Sequence, residues 1–234
     1  MNFDYKLLKK IFIMYLIMDN ITTLKDLAVK YGLDKSIHTG CHNYIPGYTK
    51  LFKDIRYNIN NVLEIGIGSV ENMQMGGPTG PVVAQYNYRT GNSLKCWSDY
   101  FPNANIYGID IYAHPELNKD RVKTFVANQY SEKDIMNVVN EINTELDIIM
   151  DDGSHIGEHQ AFSFMHLNKY LSQSGIYVIE DVQPPNIDKF KDLSIFPSDY
   201  KEYINNNFNV EYFDTRNTIG RADDFMVVFY KRNN

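Results

Sequence analysis

Cysteine is nearly absent from this chain: 234 residues hold two, Cys41 and Cys96, far apart and without metal-ligand spacing. That excludes a disulfide framework and a zinc ribbon, and makes a reducing, cytoplasmic compartment the expectation. Basic runs are missing too. With 23 Lys and Arg against 29 Asp and Glu, a net charge of -6 argues against a nucleic-acid partner, because phosphate binding rests on clustered cations. No apolar run approaches the ~20 residues needed to span a bilayer, so no membrane span is expected. Lys9-Lys10 followed by Ile11 to Met18 imitates the start of a signal peptide, but no small-residue cleavage site follows. A helix with an apolar face of Leu7, Leu8, Ile11, Phe12 and Tyr15 is expected there instead, docked or joining copies in a homo-oligomer. Internal repeats and low-complexity tracts are also lacking.

The 44% hydrophobic content suffices for one domain with a substantial core, and the length slightly exceeds that of a bare doubly wound sheet. Two parts are therefore expected: N-terminal helices and a lid over 1–57, then a Rossmann-like domain over 58–234. Thr22 and Thr23 can cap a helix through Lys30 that stops at Tyr31-Gly32. A loop from Leu33 to Pro46 follows, either a surface connector or a lid, and a second helix is expected from Gly47-Tyr48 through Arg56. Strands are expected over Asn61–Gly66, Asn105–Ile111, Val122–Ala127, Leu146–Met150 and Gly175–Glu180, with helices over Gly91–Phe101, Ser131–Asn143 and Ile156–Leu171. A helix around Tyr200–Asn207 precedes a hairpin of Val210–Phe213 and Phe225–Tyr230, which would place one antiparallel strand in a parallel sheet. The fold class expected is α/β, a doubly wound seven-stranded sheet with an antiparallel C-terminal strand and an N-terminal helical lid.

The chemistry concentrates at strand ends. Asp151-Asp152-Gly153-Ser154-His155 follows one strand and Glu180-Asp181 ends the next. A right-handed crossover brings both carboxyl ends to one sheet edge, so Asp152, His155, Glu180 and Asp181 can converge. Carboxylates that close raise each other's pKa unless a cation neutralises them, which asks for a divalent metal and leaves His155 as a base. The string Asn61 to Ser69 runs a buried strand into a Gly66/Gly68 turn, but Glu71 occupies the third glycine position of a dinucleotide fingerprint. Glu64 in that strand and Asp110 at the tip of the next strengthen the case, since an acid there can grip a ribose diol. Ser93 near a helix N-terminus either faces a ligand or caps the helix. The long connection from Ser69 to Thr90 is functional or disordered.

As an ordered set, Leu63-Glu64-Ile65-Gly66-Ile67-Gly68, Tyr107-Gly108-Ile109-Asp110-Ile111 and the hairpin resemble the class I S-adenosylmethionine-dependent methyltransferases. Lys30 to Lys35 with His42 and Tyr44, Trp97 with Tyr100 to Ala104, Asp151 to His155, and Glu180-Asp181 narrow the resemblance to the metal-dependent sugar O-methyltransferases of macrolide tailoring. The resemblance implies Mg²⁺ on Asp152, Glu180 and Asp181, holding two sugar hydroxyls, with His155 removing the proton of one. It implies an S-adenosylmethionine pocket lined by Glu64, Gly66, Gly68, Ser93, Asp110, Asn128 and Gln129, with Asp151 in support and Tyr48 from the lid. The substrate implied is a sugar or glycoside, and the 69–90 loop and first seventeen residues have no counterpart in it.

Three other readings compete. His155 and His159 with Asp152 could form a two-histidine, one-carboxylate iron site, but this leaves Glu180-Asp181 unused. A catechol-type O-methyltransferase shares the fold and metal logic. A non-catalytic assembly protein could keep the fold.

Overall fold

The computed structural model describes residues 22–39, 41–68 and 89–232. The expected N-terminal helix and most of the 69–90 connection lie outside the described residues.

Seven strands form one sheet in the order β3-β2-β1-β4-β5-β7-β6. They are β1 (Asn61–Ile65), β2 (Asn105–Asp110), β3 (Val122–Val126), β4 (Leu146–Asp151), β5 (Leu171–Ile179), β6 (Phe208–Asp214) and β7 (Phe225–Lys231). Strands β1 to β5 pair in parallel, and β7 runs antiparallel to both β5 and β6. The order reverses between β1 and β4, the switch point where a doubly wound sheet opens a crevice beyond its strand ends. The architecture is Rossmann-like.

Helices cover both faces, so the central strands are buried on both sides and read as continuous apolar runs. Alternate residues serve opposite faces. Leu63, Ile149 and Tyr177 pack toward α4 (Glu132–Ile142), α5 (Gly157–Leu167), α6 (Pro184–Lys191) and α7 (Ser198–Asn207). Val62, Ile148 and Val178 pack toward α1 (Leu24–Tyr31), α2 (Ile45–Phe52) and α3 (Asn92–Tyr100). The 22–59 region thus shares the core of the sheet through Leu27, Tyr48 and Phe52, which cluster with Trp97 of α3. Helix α1 opens with a capping box, in which Thr23 accepts from the Asp26 N–H and Asp26 accepts from the Thr23 N–H, and it closes at Gly32. A last short helix, α8 (Arg216–Ile219), links β6 to β7.

Four local expectations are corrected. Helix α2 begins at Ile45, two residues before the expected Gly47, with Pro46 in its first turn, where a missing N–H costs nothing. Helix α5 ends at Leu167, and a 3-10 turn over Asn168–Tyr170 leads into β5, which starts at Leu171 rather than Gly175. Helix α6 is not expected from the sequence; Pro184 and Pro185 sit in its first turn. Neither Asn92 nor Ser93 caps α3: Gly91 is its N-cap, and the side chains of Asn92 and Ser93 bond Tyr31 and Glu64. Among the described residues, no helix is long and apolar enough to cross a membrane.

Candidate active site

Strands β1, β2, β4 and β5 end at one edge, and their exits build a cavity of about 670 Å³. The β1 exit is shaped by Gly66 at φ 80°, where a Cβ would lie 2.0 Å from the Asp152 carbonyl oxygen. Only glycine lets the β1 and β4 exits approach this closely. The β4 exit is fixed by Gln129, whose amide donates to both Asp151 oxygens at 3.1 and 3.2 Å and whose carbonyl accepts from the Ser154 N–H at 2.6 Å. Gly153 lies against that amide, and a Cβ there would meet Gln129 Oε1 at 2.1 Å. Asp151 is fully buried, and burial pushes its carboxyl up to about 7 despite the bonds from Gly153 and Gln129. It acts as the internal anchor of the loop that presents Asp152 and His155.

On the cavity wall, Asp152, His155 and Asp181 each offer a ligand atom, all within 4.8 Å of one another. His155 Nε2 is 3.2 Å from Asp152 Oδ1 and 3.6 Å from Asp181 Oδ2. Both His155 and Asp181 have left-handed backbones, φ 57° and 51°, a conformation uncommon outside glycine and concentrated at functional sites. Burial would lower the His155 pKa, but Asp152 and Asp181 outweigh it and raise it to about 9. Two carboxylates converging on one point of a cavity therefore attract positive charge. Their hard oxygen donors fit Mg²⁺.

Behind this wall lies a second, buried cluster. Lys35, 1% exposed, places Nζ 2.5 Å from Asp152 Oδ2, 2.8 Å from Glu180 Oε1 and 3.5 Å from Glu64 Oε1. Burial would lower its pKa, but the three acids hold it well above the usual lysine value. The Tyr48 hydroxyl donates to Glu180 Oε1, and the Glu180 backbone carbonyl accepts from Gln160. Glu64 accepts from Ser93 Oγ at 2.5 Å and from the Trp97 ring N–H at 3.2 Å, and burial pushes it up to about 7. A third group ties residues 42–44 to the β5 exit. The Tyr44 hydroxyl donates to Asp181 Oδ1 at 2.5 Å, and His42 Nδ1 lies 3.2 Å from both Asp181 and the buried Asp224.

The sequence-derived site residues fall into two sets. Gly66, Gly68, Asp110, Asn128, Gln129, Asp152, His155 and Asp181 line the cavity. Glu64, Ser93, Tyr48, Asp151 and Glu180 do not line it: their hydrogen bonds run to one another, to Lys35 and to the wall residue Gln129. Alternation at the β4 end separates Asp151 from Asp152, Ser93 and Tyr48 reach Glu64 and Glu180 from helices α3 and α2, and Asp181 follows Glu180 with a left-handed backbone beyond the end of β5. His159, required by the iron reading, stacks on Tyr130 and bonds Ser154, apart from the three-residue ligand cluster. Lys35, His42, Arg221 and Asp223 were not assigned roles by the sequence. The first two sit in the quoted Lys30 to Tyr44 motif, whereas no local signal marks Arg221 or Asp223, which pair at 3.2 Å on the cavity rim.

No family model matches the chain. It is 32% identical over 164 residues to the 8-demethyl-8-alpha-L-rhamnosyl tetracenomycin-C 2'-O-methyltransferase of Streptomyces olivaceus, covering 70% of this chain and 39% of that protein. It is 32% identical over 141 residues to the mycinamicin VI 2''-O-methyltransferase of Micromonospora griseorubida, covering 60% and 32%. The demethylmacrocin O-methyltransferase of Streptomyces fradiae is 33% identical over 163 residues, covering 70% and 36%. The chain thus spans well under half the length of these relatives. Among solved structures, the MycE methyltransferase of the mycinamycin pathway, in complex with Mg, SAH and mycinamycin VI, superposes with a TM-score of 0.67 at 22% identity, over 92% of this chain and 54% of that one. The similarity to the sugar O-methyltransferases of macrolide tailoring, read first from the ordered motifs, therefore extends to curated relatives, and the fold is shared with solved methyltransferases.

Proposed function

We propose that this protein is an S-adenosylmethionine-dependent O-methyltransferase acting on a hydroxyl of a sugar or glycoside, with Mg²⁺ as its metal. The observation that carries the proposal is that one cavity joins a glycine-turned β1 exit and Asp110 on one side to Asp152, His155 and Asp181 on the other. The curated relatives named above are O-methyltransferases acting on sugar-bearing compounds, and that supports the substrate class.

The carboxylate of Asp110 is held by the N–H groups of Ile67 at 3.4 Å and Tyr112 at 3.0 Å, so it is oriented before any ligand arrives. An oriented carboxylate suits a ribose diol. Ile65, Ile109, Ile111 and Ala127 make that end apolar, and Asn128 and Gln129 supply amides for the adenine. Asp152 and Asp181 would hold the cation. When bound, it supplies Lewis acidity that lowers the pKa of a sugar hydroxyl. His155 sits beside both carboxylates, which raise its pKa; a cation held by them would offset that effect and leave Nε2 neutral to accept the hydroxyl proton. The cofactor would occupy the β1–β2 end and the sugar the β4–β5 end of one cavity, where the transfer would require acceptor oxygen and methyl to lie in line. No covalent enzyme intermediate is needed. The 33–48 segment would cover the acceptor side, and copies would associate through the N-terminal residues.

The test is transfer of labelled methyl from S-adenosylmethionine to a panel of neutral glycosides, nucleotide sugars and catechols, with Mg²⁺ and after chelation. Transfer to a sugar hydroxyl that stops on chelation is expected. Transfer only to a catechol would replace the substrate class, and failure to bind S-adenosylmethionine would overturn the proposal.

A further inference from the structure

Resting on the proposed methyl transfer to a sugar, we propose that Arg221 and Asp34 read a further hydroxyl of the acceptor, beyond the two a metal ion would hold, and so set which sugars are accepted. Among the described residues, five aspartates and one arginine line the cavity, and no lysine does. That arginine, Arg221, is fixed in place. Its Nε and Nη2 donate to the two oxygens of Asp223 at 3.2 and 3.3 Å, and the Asp223 carbonyl is 3.1 Å from the Tyr44 hydroxyl. Nη1 bonds nothing among the described residues, and the guanidinium lies near enough to Asp181 and Cys41 for their charges to act on it. Arg221 therefore presents unspent N–H donors at the acceptor end, with one carboxylate already balancing its charge.

Asp34 reaches the same end from the 33–48 segment. Asp110, Asp152, Asp181 and Asp223 each accept hydrogen bonds within the chain. The half-buried carboxylate of Asp34 is the one aspartate of the five with no hydrogen bond or ion pair among the described residues. Asp34 and Arg221 act in opposite directions on the same two lining residues, Cys41 and His42, so they stand around one part of the wall. A guanidinium donates and a carboxylate accepts, whereas a hydroxyl does both, so the two groups together suit a neutral hydroxyl. Other ways of gripping an acceptor are poorly supplied here. The lining holds one Phe, Tyr or Trp among the described residues, Tyr112, and it follows β2 at the cofactor end. A phosphate would meet Asp34 and an arginine already neutralised by Asp223. A site built to hydrogen-bond a hydroxyl rejects the analogue that lacks it, because its own polar groups are left unpaired.

The experiment measures kcat/KM of the full-length protein for the neutral methyl hexoside it methylates best and for each monodeoxy analogue of that sugar, in wild type, Arg221→Met and Asp34→Ala, each checked for a cooperative melt. Wild type should prefer the parent sugar roughly 10- to 100-fold over one analogue that keeps the methylated hydroxyl and its neighbour, the worth of a hydrogen bond to a charged group. Both variants should lose that preference, through a raised KM for the parent with kcat little changed. A merely structural role would slow both acceptors alike and leave the ratio standing. An undiminished ratio in either folded variant, or no such preference in wild type, would overturn the inference. Should Arg221→Met not fold, Arg221→Lys, which keeps the charge without the fixed fork, takes its place with the same expected loss. UDP-glucose preferred to the methyl hexoside by wild type but not by Arg221→Met would mark a phosphate site and overturn the inference as well. Absence of methyl transfer to every glycoside and nucleotide sugar would instead overturn the sugar methylation on which this rests.

Discussion

Glu180 and Asp181 are neighbours in sequence and opposites in environment. Glu180 faces inward to Lys35 and Tyr48, while Asp181 faces the cavity beside His155. The β1 and β2 tips repeat the contrast: Glu64 is wrapped by Ser93, Trp97 and Lys35, whereas Asp110 lines the cavity. The lesson is that an acid at a strand tip is not yet a ligand. The side on which it leaves the strand decides whether it faces the cavity or the buried cluster around Lys35.

The largest effect that would test this division is at the cavity side of β5. Asp181→Ala should abolish methyl transfer by removing a proposed metal ligand, while S-adenosylmethionine binding, measured by calorimetry, survives at the β1–β2 end. Loss of both together would show that the two ends are not independent. Next, His155→Ala should lower the rate by roughly 10² to 10⁴, the usual worth of a positioned general base. A pH–rate profile should show partial recovery at high pH, where hydroxide can take the proton. Full activity at neutral pH would move the base elsewhere on the wall.

A smaller contrast sets Asp110 against Glu64. Asp110→Ala should weaken S-adenosylmethionine binding roughly ten- to a hundredfold, corresponding to one or two charge-assisted hydrogen bonds. Glu64→Gln should act mainly on the melting temperature, since its contacts are internal. Equal losses of cofactor affinity would erase the distinction between the two acids. The smallest effect lies at the α1–α3 contact. Burial would raise the Asp99 pKa, but hydrogen bonds from Lys30 and Tyr31 outweigh it and hold the carboxyl below its usual 3.8. A lowered carboxylate contributes stability that is present above the unfolded value and lost as pH falls through the folded one. Thermal melts of wild type and Asp99→Asn should therefore differ slightly at pH 6 and converge below pH 3.8, with a constant difference counting against the contact. An exposed ion pair is worth little.

Much of the fold was legible because its signals are local. Buried strands read as apolar runs, Thr23 and Gly32 bracket α1, and Ser131 caps α4, so element type and order followed from residues within a turn of one another. The tips were legible for the same reason, as strands ending in Asp110, Asp151-Asp152 and Glu180-Asp181. Boundaries set by neighbours were not: α5 gives way to a 3-10 turn where the Asn168 side chain bonds Phe164 O and meets Tyr200, thirty-two positions on.

The sequence by itself determined which acids reach the sheet edge and in what order, since periodicity and turn chemistry are written in adjacent residues. Only the tertiary structure decided which of them face the cavity and what neutralises the others. Lys35 meets Asp152 across 117 positions and Glu180 across 145, and Asp181 meets Tyr44 across 137. No local pattern encodes such pairings, because they arise when helices α1 and α2 pack onto a sheet whose switch point has already gathered the strand ends.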